Sequence, residues 1–114
     1  MNMSNFDNLF VSDELLKAEY GKGISYAVPN GLSDAVFTNA FFHIRDKTGL
    51  RVDSHGTSWS IFSETSELTL KEIKGIIKFI NDITAYLGNK MSQGEEITIA
   101  DSEKLKTIAK RFFP

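Results

Sequence analysis

Thr69-Leu70-Lys71-Glu72 has the spacing of a capping box, and behind it Leu70, Ile73, Ile76, Ile77, Ile80, Ile83 and Leu87 recur at helical spacing until Gly88. In such a box the threonine hydroxyl and the glutamate carboxylate satisfy backbone N–H groups that a helix start leaves without partners. The segment therefore reads as a long helix with one broad apolar stripe. Lys71, Lys74 and Lys78 fall off that stripe and read as its wet face. A stripe this wide must be covered, so the rest of the chain has to supply an apolar counter-surface.

The counter-surface is expected to be a small sheet. Phe41-Phe42-His43-Ile44-Arg45, Asp46-Lys47-Thr48-Gly49 and Leu50-Arg51-Val52-Asp53 read as strand, turn and strand, with Gly49 able to take a positive φ. Ser54-His55-Gly56-Thr57 turns the chain into Ser58-Trp59-Ser60-Ile61-Phe62. The expectation is a three-stranded meander over about residues 40–63. A turn pairing 46 with 50, and a second pairing 53 with 58, would place Phe42, Ile44, Leu50, Val52, Trp59 and Ile61 on one face. A further short strand near 23–28 runs into Pro29-Asn30-Gly31.

Helical signals flank this sheet. Ser12-Asp13-Glu14 caps a short helix near 12–20 that Gly21 closes. Residues 33–39 are ambiguous, because Ser33-Asp34 suits a helix cap while Val36, Phe37 and Thr38 favour strand. A polar loop spans Gly88 to Gly94, Ile97-Thr98-Ile99 reads as a short extended piece, and Thr98 or Asp101 caps a last helix with Leu105, Ile108, Ala109 and Phe112 inward. The fold class is thus α+β: a small antiparallel sheet with helices packed mainly on one face. Residues 1–114 read as a single α+β domain.

Composition narrows the function classes. The 114 residues carry 13 Lys plus Arg against 15 Asp plus Glu, a net charge of −2 that argues against non-specific nucleic-acid binding. With no Cys there is neither a disulfide framework nor a thiolate nucleophile or ligand. Met1 to Asp7 lacks a basic region ahead of an apolar run, and Ile73 to Leu87 is interrupted by Lys74, Lys78, Asn81 and Asp82. Export and membrane insertion are not expected, and a cytoplasmic location is.

His43, Asp53 and Ser58 supply the residue types of a hydrolase triad in one cross-strand row. The order is wrong, since Asp53 lies between the other two and the imidazole must sit between acid and hydroxyl. Gly21-Lys22-Gly23 lacks phosphate-loop spacing, and His43 and His55 lack metal-ligand spacing. No cofactor and no metal are therefore expected. The same face does present donors and aromatic area, and the candidate binding residues are Phe41, His43, Arg45, Arg51, Asp53 and Ser60, with Ser58 and Phe62 beside them. Lys104, Lys106, Lys110 and Arg111 make the last helix basic towards its end, and Phe112 and Phe113 either dock or stand as an anchor.

The expected function is that of a non-enzymatic binding protein acting on another protein: a small inhibitor, an immunity protein or a phage-encoded antagonist of host defence. The alternative is a sensor or sequestering protein that holds an anionic metabolite or nucleotide on the His43, Arg45, Arg51 face.

Overall fold

The computed structural model describes residues 11–114, so Met1 to Asp7, whose sequence argues against export, lies outside the described residues. In chain order the elements are α1 (Asp13–Tyr20), β1 (Ile24–Ala27), a 3-10 turn (Asp34–Phe37), α2 (Thr38–Thr48), β2 (Arg51–Ser54), β3 (Ser58–Phe62), α3 (Leu70–Ser92) and α4 (Asp101–Phe112). The fold is α+β, with an antiparallel sheet in the order β1-β3-β2. The capping box of α3 forms in full: Thr69 N–H donates to Glu72 Oε1 at 2.8 Å, and Glu72 N–H donates to Thr69 Oγ1 at 3.1 Å. The helix then runs through Gly88 to Ser92, and the positive φ that ends it is at Gly94.

One expected strand is a helix. Phe41 to Arg45 belongs to α2, which follows a 3-10 turn opened by Ser33, whose Oγ accepts from Ala35 N–H. Aromatic and β-branched residues favour strand when taken locally. However, Phe37, Ala40, Phe41 and Ile44 recur at helical spacing, and all four are buried. Gly49 does take a positive φ (75°), but it closes α2, its N–H donating to the Arg45 carbonyl at 2.8 Å. The property read for a hairpin turn thus serves a helix stop. The place left for a third strand is filled by β1, which pairs with β3 on the side away from β2.

The hairpin from β2 to β3 keeps its predicted faces with a shifted register. Asp53 lies opposite Ser60 rather than Ser58, and His55 N–H bonds to the Ser58 carbonyl across a two-residue bend, Gly56-Thr57. Gly56, at φ 83°, occupies the first central position, where a tight hairpin turn demands it. A shift of two preserves alternation, so Val52, Trp59 and Ile61 still face the core.

That core is aromatic at its centre. The Trp59 and Phe41 rings stack at 4.9 Å, Phe42 meets Trp59 edge-on at 5.9 Å, and Phe79 of α3 meets Phe41 edge-on at 5.4 Å. Helix α2 is in this way bound to the inner face of the sheet, and α3 is bound to α2. Helix α4 packs against α2 and α3. Ile97 to Ile99 forms no strand, and neither Thr98 nor Asp101 is the cap of α4, which starts from Ala100 without a side-chain cap; Thr98 N–H donates to Asp101 Oδ2 at 2.8 Å across the turn that leads into it. Phe113 docks, 9% exposed, on the stretch of α3 where Gly75 leaves room for its ring.

Candidate binding surfaces

Two surfaces emerge, and the structure divides the six predicted site residues rather than assembling them. Phe41 is fully buried in the aromatic core, because the α2 period turns it inward. His43 is buried on the same helix, and its Nε2–H donates to the Phe113 carbonyl at 2.6 Å, which pins the C-terminal residues to α2. Arg45 is exposed but stands over the Phe42 ring at 4.2 Å and pairs with Asp46 at 3.1 Å. None of these three belongs to the sheet, which overturns their expected shared face.

Arg51, Asp53 and Ser60 do share the outer sheet face. Ser25, Ser60 and Asp53 form one cross-strand row over the three strands. Arg51 is held between two acids, Nε to Asp53 Oδ1 at 2.8 Å and Nη1 to Glu64 Oε2 at 3.0 Å. These hydrogen bonds, Asp53 first, push the guanidinium pKa above its ordinary value. Ser25, Ala27 and Arg51 are exposed, while Asp53, Ser58, Ser60 and Phe62 are half-buried. The face is therefore open, nearly charge-compensated and lined by hydroxyls around one aromatic edge.

His55, set aside in the sequence for want of metal-ligand spacing, joins Ser60 on this face. Its Nε2 lies 3.0 Å from Ser60 Oγ. The signal was Gly56-Thr57: a two-residue bend makes His55 the diagonal cross-strand neighbour of Ser60. Among the described residues no acid bonds the His55 ring as the third member of a triad would, and Asp53 Oδ1 accepts instead from Arg51 Nε.

The second surface joins two features that the sequence presented separately. Lys71, Lys74 and Lys78 of α3 and Arg111 and Phe112 of α4 line one open depression of about 530 Å³ with Leu70 and Gly75. Beside it, Lys47, Thr48, Thr69, Lys71, Glu72, Phe112, Phe113 and Pro114 line another of about 430 Å³. Lys74 pairs with Asp13 at 3.1 Å and Arg111 with Asp82 at 3.4 Å, whereas Lys47, Lys71 and Lys78 have no ion pair among the described residues.

Among the described residues no group of His, Asp and Glu is placed to hold a metal, and no helix is long and apolar enough to cross a membrane. No family model, curated protein or solved structure matches this chain.

Proposed function

We propose that the chain is a cytoplasmic binding protein that presents the outer face of its sheet to another protein, in the manner of a small inhibitor, an immunity protein or a phage-encoded antagonist. One observation carries this reading: the helices pack against the inner face, leaving Ser25, Ser58, Ser60 and Phe62 accessible around an arginine whose charge is already compensated. Such a face suits contact by shape and hydroxyl hydrogen bonds. It does not favour capture of a small anion, since His43 and Arg45, the other expected donors, lie on α2.

Strands of four or five residues at ordinary spacing give the face a footprint of roughly 200 Å². A stable interface needs about 800 Å² per partner. The contact must therefore extend over the Gly56 bend and the loop of residues 63–67.

The test is affinity capture from the native host with the wild-type chain and with Ser60→Arg. A long cation at the centre of the face blocks close approach without touching the core. The expected result is a partner held by wild type and lost from a folded Ser60→Arg chain. A partner retained equally by both would remove the sheet face from the function. Arg51→Glu is a poorer probe, because it would set a third acid beside Asp53 and Glu64.

A further inference from the structure

We infer that the groove between α3 and the end of α4 is a second binding surface, and that its occupant is an acidic helical segment of another protein. The observation is independent of the sheet face. In a chain of net charge −2, every ionisable side chain lining the larger depression is a cation: Lys71, Lys74, Lys78 and Arg111. Asp13 and Asp82 pair with Lys74 and Arg111 from the rim, which leaves Lys71 and Lys78 exposed and without partners among the described residues. Lys47 adds a third such charge where the adjoining depression begins, and Glu72 there is turned back onto Thr69 N–H.

Spacing specifies the partner. Lys71, Lys74 and Lys78 stand at i, i+3 and i+7 on α3, so the outer two are separated by about 10.5 Å along the axis. A helix bearing Asp or Glu at the same intervals presents carboxylates at the matching distance. The groove between two packed helices accepts a third by the same ridge-and-groove geometry. Leu70 and Phe112, both half-buried, supply an apolar floor against which one leucine-sized side chain of that segment can pack. Nucleic acid matches less well, because the strong positive field it requires is absent from an acidic chain.

The experiment uses a fluorescein-labelled helical peptide with Glu at i, i+3 and i+7 beside one leucine stripe, the same peptide with Gln for each Glu, and a short DNA duplex, each titrated with the full chain. Anisotropy should report saturable binding of the Glu peptide that weakens as salt rises, and no binding of the Gln peptide or the duplex. Lys71→Glu with Lys78→Glu should weaken it by about tenfold or more at an unchanged melting temperature, while Ser60→Arg leaves it intact. If the double variant melts lower, Lys71→Gln with Lys78→Gln takes its place. Failure of the Glu peptide to bind, undiminished binding by either folded double variant, or preference for the duplex would overturn the inference.

Discussion

Gly75 and Gly88 lie in the same helix, yet adding one methyl group to each should change stability in opposite directions. At Gly88 a Cβ would meet nothing within 4 Å, so Gly88→Ala collects the helix-propensity gain, about 1 kcal/mol. For a chain of this size that is a rise of roughly 4 °C in Tm. At Gly75 the same gain is opposed by contact, since the Cβ would lie 2.9 Å from Phe113 Cζ and 3.4 Å from Cε1. The ring has to withdraw, at the roughly 1–3 kcal/mol typical of an overpacked site. Withdrawal also strains the 2.6 Å hydrogen bond from His43 to the Phe113 carbonyl, worth on the order of 1 kcal/mol. The expected net effect of Gly75→Ala is a loss of up to about 3 kcal/mol, read as a lower Tm by far-UV circular dichroism. In a Phe113→Ala background the clash disappears, and Gly75→Ala should become stabilising by about 1 kcal/mol. Equal stabilisation by Gly75→Ala and Gly88→Ala in the otherwise wild-type chain would refute the docking of Phe113.

The other expectations address the core and the turn into α4. Ile76 is fully buried on α3, so Ile76→Ala should cost roughly 2–5 kcal/mol in chemical denaturation, far more than Lys74→Ala on the wet face. Trp59, 1% exposed and stacked on Phe41, should emit at short wavelength and resist iodide quenching; emission like that of free tryptophan would break the β3 register. Asp101 supplies a pH dependence: burial alone would raise its pKa, but hydrogen bonds from Lys90, Tyr86 and Thr98 N–H outweigh this and hold it at about 2. A folded pKa below the unfolded value gives stability that is fully present above about pH 4 and is lost as pH falls towards 2. Asp101→Asn should flatten the acid limb of a Tm-against-pH curve, and an unchanged limb would show that this carboxylate does not control it.

Local pattern alone determined the start of α3, its capping box and apolar stripe, and the inward faces of Val52, Trp59 and Ile61, because each rests on short-range spacing; the end of the helix, expected at Gly88, lies instead at Ser92. A small antiparallel sheet was also legible, from the alternation of residues 51–53 and 58–62 on either side of the turn at Gly56. The state of residues 41–45 was not decided locally. Phe41-Phe42-His43-Ile44 has strand propensity and helical spacing at once, and packing resolved it, since a helical turn buries Phe37, Ala40, Phe41 and Ile44 together and stacks Phe41 on Trp59. That choice removed Phe41, His43 and Arg45 from the expected site and opened the edge of β3 to β1. Tertiary structure likewise decided that the lysines of α3 and the basic, aromatic end of α4 form one groove. Their separation of more than thirty residues carries no local signal, and the contact exists because Phe113 fits where Gly75 has no side chain.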